Sequence, residues 1–186
     1  MELAGPCAND HGNILVISGW RGVGKTALCQ KVAARAQRLG RRVAGLLSPG
    51  RFVEGKKTGI FAATLATGET RLLASAIPGE VTGIQLGPWA FDSSVVEWGN
   101  QCLERSAGAE LAIIDELGPL EFERKTGWSA GFAVLRRKAY RLALVVIRPE
   151  LVGAFSAQGF VFCKKEVTPE TDPDVLATDI LNLWNG

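Results

Sequence analysis

Gly19-Trp20-Arg21-Gly22-Val23-Gly24-Lys25-Thr26 follows the apolar run Ile14-Leu15-Val16-Ile17 and leads into a stretch with helical periodicity. The pattern is G-x-x-x-x-G-K-[ST], in the strand, loop and helix context that a phosphate-binding loop requires. Its glycines let the backbone wrap closely enough for amide N–H groups to point at phosphate oxygens. The positive end of the following helix favours the same anion. Candidate nucleotide contacts therefore run through Gly19, Trp20, Arg21, Gly22, Val23, Gly24, Lys25, Thr26 and Ala27. Lys25 is expected to reach the β- and γ-phosphates. The Thr26 hydroxyl is expected to hold Mg²⁺, an ion usually bound by few protein ligands plus phosphate oxygens.

Outward from this loop, short apolar runs recur at 14–18, 43–48, 111–114, 142–147 and 160–163, each separated from the next by enough chain for a crossover. Strands apolar on both faces are the mark of a largely parallel sheet covered by helices on both sides, so the spacing predicts an α/β fold. Helices are expected at 25–39, 92–107, 128–139 and 174–184. The second opens with the capping signal Asp92-Ser93-Ser94 and the last with Asp172-Pro173-Asp174. Residues 49–90 break the alternation, because Gly and Thr punctuate short segments such as Gly59-Ile60-Phe61-Ala62-Ala63-Thr64-Leu65. They predict a small antiparallel hairpin insertion turning at Thr67-Gly68-Glu69.

Leu111-Ala112-Ile113-Ile114-Asp115-Glu116 is an apolar strand ending in two carboxylates, well downstream of the loop. It reads as a Walker B element. Asp115 at the strand end is placed to hold Mg²⁺ together with Thr26. Glu116, one residue on, is placed to orient or deprotonate a water in line with the γ-phosphate. Transition-state charge on the phosphoryl oxygens calls for a cation besides Lys25 and the metal. Arg148, directly after Leu142–Ile147, is the candidate, with a structural ion pair as the alternative. Arg21 either folds over the phosphates or points to solvent, and Lys57 is a weaker candidate for a nucleotide contact. Trp20 is expected to pack locally, and the single histidine, His11, to be a polar residue of the chain's start.

At 186 residues, 47% apolar, 22% charged and a formal charge of +2, the chain is expected to form one compact domain over 1–186. Its basic clusters are interspersed with acids, so a nucleic-acid face is not implied. Cys7, Cys29, Cys102 and Cys163 lie far apart with no C-x-x-C pair and read as free thiols of a reducing compartment. Neither a signal peptide nor a stretch long enough to span a bilayer is apparent, which makes a cytoplasmic location the expectation.

With these residues placed, the chain resembles the small P-loop nucleoside-triphosphatase family that has a vertebrate cancer-related member and thermophile homologues. The resemblance rests on Gly19–Thr26, on Gly45-Leu46-Leu47-Ser48-Pro49-Gly50, on Ile113-Ile114-Asp115-Glu116-Leu117-Gly118-Pro119-Leu120-Glu121, and on Val167-Thr168-Pro169. It implies a three-layer P-loop NTPase with a RecA-like, mostly parallel sheet. It also implies ATP or GTP as substrate, Mg²⁺ as cofactor, broad nucleotide preference and slow turnover. Lys25 and Thr26 would bind phosphate and metal, Asp115 the metal, and Glu116 the water. Departures from the family pattern fall at Lys57-Thr58-Gly59 and at Arg148.

Three classes of function remain compatible with the residues: a Mg²⁺-dependent nucleoside-triphosphate hydrolase, a nucleoside or small-metabolite kinase, and a nucleotide-binding accessory module with negligible turnover. Asp115-Glu116 favours the first. No protein partner is indicated.

Overall fold

The computed structural model describes residues 12–185, so the expectations for Cys7 and His11 lie outside the described residues. In chain order the elements are β1 (Asn13–Ser18), α1 (Lys25–Arg38), β2 (Val43–Leu47), β3 (Gly50–Val53), β4 (Lys56–Thr64), β5 (Thr70–Ser75), β6 (Gly83–Leu86) and β7 (Trp89–Asp92). They continue with α2 (Ser93–Glu104), β8 (Leu111–Leu117), α3 (Pro119–Phe122), α4 (Ala130–Arg137), β9 (Leu142–Ile147), a 3-10 turn at Pro149–Leu151, α5 (Val152–Ser156), β10 (Cys163–Glu166) and α6 (Pro173–Asn185).

Among the described residues all ten strands belong to one mixed sheet, ordered β10-β1-β9-β8-β2-β4-β5-β7-β6 with β3 paired to β4. The first five are mutually parallel. Alternate residues of the parallel strands feed two cores. Ile14, Val16, Leu46, Ile114 and Val145 pack under α2, α4 and α5, whereas Leu15, Ile17, Ile113, Leu144 and Val146 pack under α1 and α6. Both faces are therefore dry, which is why these strands read as continuous apolar runs. The three-layer α/β arrangement expected from the sequence is the one observed.

Local chemistry accounts for the helix starts. The Asp92 carboxylate accepts from Ser94 N at 2.8 Å and Val95 N at 3.2 Å, capping α2. Asp172 does the same for α6 through Asp174 N and Val175 N. α3 and α5 span four and five residues, too short for a periodicity to show in sequence.

Two regions differ from expectation in detail. The insertion has its turn at 67–69, between β4 and β5, but it comprises five strands and continues the sheet by antiparallel pairing of Leu46 and Leu47 on β2 with Thr64 and Ala63 on β4. The last parallel strand lies at Cys163–Glu166, not at 160–163. Phe160 and Phe162 are instead drawn into an aromatic cluster around Phe155, with ring centroids 4.8 and 5.2 Å away. Among the cysteines, Cys29 and Cys102 are free, whereas Cys163 is disulfide-bonded and departs from the free-thiol expectation.

Candidate active site

The phosphate loop joins the end of β1 to the start of α1, at the carboxyl edge of the sheet. Gly22 and Gly24 hold φ of 83° and 93°, a left-handed backbone that glycine adopts without a steric penalty. Gly19 is confined for another reason: a Cβ there would lie 2.3 Å from Val167 O. Val167 in turn donates its N–H to Ser18 O at 2.7 Å, so the segment after β10 flanks the loop's first residue. Lys25 Nζ donates to Gly19 O at 2.6 Å and Trp20 O at 2.7 Å, tethering the ammonium over the loop. Burial lowers its pKa, against the opposing charges of Glu116 and Asp115. Trp20 is 68% exposed, contrary to the local packing expected of it, and Arg21 faces solvent.

Asp115 is buried at the end of β8. Its Oδ2 accepts from Ser48 N at 2.8 Å, and Ser48 Oγ donates to Asp115 O at 2.8 Å, so the end of β2 fixes this strand end twice. Oδ1 is buried without a partner. Burial raises the carboxyl's pKa to about 6, with the Glu116 charge adding; the Ser48 N–H, the nearby Thr26 hydroxyl and Lys25 pull the other way. An orphaned carboxylate oxygen close to a threonine hydroxyl is a hard, oxygen-donor environment that fits a Mg²⁺ ion.

Glu116 sits at an irregularity in the β8–β9 pairing, between Ile114 and Leu117, with φ of 75°. For a residue that carries a Cβ this left-handed backbone costs about 1 to 3 kcal/mol. Arg148 follows β9 and precedes Pro149, whose ring holds it extended (φ −68°, ψ 151°). Its Nε and Nη2 reach Glu116 Oε1 at 3.0 and 2.5 Å. Of the two sequence readings of Arg148, the ion pair is the one present, and its partner is Glu116. Because β9 lies between β1 and β8, Arg148 stands between the loop and the two carboxylates.

Lys57 is not part of this group; it is exposed on β4, 5.8 Å from the Trp89 ring centroid. Sequence reasoning missed Ser48 and Glu121. Ser48 carried a signal in the Leu47-Ser48-Pro49 step where an apolar strand ends in a hydroxyl. Glu121 carried one in an acid flanked directly by the apolar Leu120 and Phe122.

A glycine-rich loop between strand and helix, with the acidic strand separated from the loop's strand by one intervening strand, defines a P-loop nucleotide-binding protein of RecA-like arrangement. The chain belongs to the NTPase family, whose model matches residues 14–172. Among similar proteins, a nucleoside-triphosphatase THEP1 from Methanocaldococcus jannaschii is 34% identical over 60% of this chain and 65% of its own length. One from Pyrococcus abyssi is 28% identical over 90% of each. The alignment to the M. jannaschii relative thus spans somewhat less than two thirds of that protein. Two solved structures share the fold: THEP1 from Aquifex aeolicus (TM-score 0.68, 24% identity, 93% of this chain and 99% of that one) and a human cancer-related nucleoside triphosphatase (TM-score 0.69, 21% identity, 91% and 96%).

Proposed function

We propose that this chain hydrolyses nucleoside triphosphates, ATP or GTP, to the diphosphate and phosphate, with Mg²⁺ as cofactor. The observation that carries the reading is the Glu116 carboxylate, fixed by Arg148 beside Asp115 and one strand away from the phosphate loop. The amides from Gly19 to Ala27 cradle the phosphates, and Lys25 exchanges its bonds to Gly19 O and Trp20 O for phosphate oxygens. Thr26 and Asp115 would hold the metal, whose charge neutralises the triphosphate when bound. Glu116 orients the attacking water and accepts its proton. Arg148 uses Nε and Nη2 on Glu116, which leaves Nη1 to face the γ-phosphoryl oxygens as negative charge builds on them.

Relatives named nucleoside-triphosphatases, with no base specified, support a broad nucleotide preference. A guanidinium divided between the water-orienting carboxylate and the phosphoryl group supports slow turnover. A kinase would need a cationic lid over the phosphates, and Arg124, in the segment after β8, instead donates to Gln85 O on β6 at 2.5 Å. One sheet containing all ten strands supports a single catalytic unit. No helix among the described residues is long and apolar enough to cross a membrane. The free thiols of Cys29 and Cys102 accord with a cytoplasmic setting, and the Cys163 disulfide does not.

Phosphate release measured for the common nucleotides, wild type beside Lys25→Ala and Glu116→Gln, tests the reading. Both variants are expected to lose activity, the second by roughly two orders of magnitude or more. Undiminished hydrolysis by Glu116→Gln overturns the mechanism.

A further inference from the structure

Beyond the water-orienting pair lies a second carboxylate that the proposed mechanism leaves unused. Glu121, on the single turn α3, is 7% exposed. Its Oε2 accepts from Gly118 N at 2.7 Å and its Oε1 from Trp128 N at 2.6 Å, so one side chain ties together the two ends of the segment 118–128. Both acceptors are oxygens and both partners are backbone donors. Only the carboxylate satisfies the two at once; a neutral amide of the same size would turn its NH₂ toward one of the N–H groups.

The backbone is shaped around this contact. Gly127 has φ of 63°, and a Cβ there would lie 2.0 Å from Glu121 Oε1, so the approach of Trp128 N requires glycine at 127. The far end of the segment is seated on α2. Asn100 Nδ2 donates to Gly127 O at 2.7 Å, and Asn100 Oδ1 accepts from Ala130 N at 2.9 Å. The near end is Gly118, two residues after Glu116. Glu116's left-handed backbone has an energetic cost and persists only where its flanks are held. Asp115 is held on one side by Ser48, and Leu117 is paired with Ile147 on β9. Gly118, where the chain leaves the sheet, is held by Glu121.

We propose that Glu121 is a positioning residue for hydrolysis: by clamping the Gly118 and Trp128 amides in its ionised form, it fixes the end of β8 so that Glu116 meets the attacking water. The inference rests on the hydrolase reading above. Burial and the neighbouring charge of Glu116 raise the Glu121 pKa to about 7, while the N–H groups of Trp128, Gly118 and Glu121 itself favour the anion. Protonation breaks one arm of the clamp.

The test compares kcat and KM for ATP in wild type, Glu121→Gln, Glu121→Asp, Lys25→Ala and Glu116→Gln, together with binding of a non-hydrolysable ATP analogue. Glu121→Gln is expected to lower kcat roughly tenfold to a hundredfold, as small misplacements of a reacting group do, with analogue binding unchanged. Glu121→Asp, which keeps the anion, is expected to recover part of kcat. The wild-type kcat is expected to fall on the acid side with a midpoint of about 7 that Glu121→Gln lacks. In the wild type, the Gly118 and Trp128 amide resonances are expected to titrate with that same midpoint, which tests the clamp even if a variant does not fold.

Wild-type kcat in Glu121→Gln overturns the proposal, as does a parallel loss of kcat, analogue binding and melting temperature, which a merely structural residue would give. Amides that titrate while wild-type kcat stays flat overturn it as well. An inactive Glu116→Gln beside a fully active Glu121→Gln refutes this inference alone. An active Glu116→Gln refutes the hydrolase mechanism and the inference with it.

Discussion

Arg148 grips Glu116 through a single carboxylate oxygen, with Nε and Nη2 converging on Oε1 at 3.0 and 2.5 Å, across 32 residues of chain and between neighbouring strands. The geometry leaves Glu116 Oε2 outside this contact, available to a water, and it leaves the third guanidinium nitrogen outside the pair. Both halves of the proposed chemistry, orienting the water and neutralising the phosphoryl group, therefore depend on one side chain.

Arg148→Ala is expected to reduce kcat by roughly 100-fold to 1,000-fold, the usual cost of removing a preorganised donor to developing charge. Arg148→Lys is expected to recover little of it, because the three donors of an ammonium radiate from one nitrogen and cannot span from Glu116 to the phosphoryl group as the planar guanidinium does. Single-turnover hydrolysis, which isolates the chemical step, is the measurement. Recovery by lysine to near wild-type rates would show that charge alone matters there.

Asp115 links stability to pH in a direction opposite to that of a salt-bridged carboxylate. Its folded pKa, about 6, lies above the ordinary value of 3.8, so the native state holds this proton more tightly than the unfolded chain. The contribution is stabilising below about pH 4 and is lost as pH rises through 6, a swing of roughly 2 to 3 kcal/mol. Asp115→Asn is expected to be more stable than wild type at pH 8 in the presence of EDTA, with a flatter pH dependence, and to lose hydrolysis. Chemical denaturation at pH 5 and pH 8 checks this; a less stable variant at pH 8 contradicts it.

Trp20 offers a reporter. It is 68% exposed, and its carbonyl holds Lys25. Bound triphosphate is expected to draw Lys25 away and change the indole's surroundings, giving a saturable change in fluorescence. Trp20→Phe should abolish the signal while preserving turnover. Persistence of the full signal in that variant would assign it to another tryptophan.

Gly19→Ala is expected to weaken both the fold and the loop, since its Cβ meets Val167 O at 2.3 Å and has nowhere to go but into the pairing of Val167 N with Ser18 O. Melting temperature and nucleotide affinity should fall together. A variant with wild-type values of both would mean that the segment after β10 yields at little cost.

The loop was legible from its fixed glycine, lysine and threonine spacing, and the four strands β1, β2, β8 and β9 because burial on both faces leaves short, nearly continuous apolar runs. Asp92 and Asp172 announced their helices through local capping, which needs no distant partner. β10 escaped because its residues, Cys163-Lys164-Lys165-Glu166, form a half-exposed edge, whereas the more apolar Phe160-Val161-Phe162 just before it serves a cluster of rings. The loop residues and the two carboxylates could be named from spacing. The left-handed backbone of Glu116, the hold of Ser48 on Asp115 and the reach of Glu121 to Trp128 could not, because each is set by pairing between segments that no local pattern relates.

The placement of β1 also orders events in time. Its neighbours in the sheet are β9 and β10, so the strand that carries the phosphate loop finds its first backbone partner in the sheet only at Arg141, and Gly19 meets Val167 later still. During synthesis the glycine-rich motif is thus made well before the strands that complete its surroundings. A chain short of β10 would carry the whole glycine-rich motif and both carboxylates and still lack the Val167 contact that flanks the first residue of the loop.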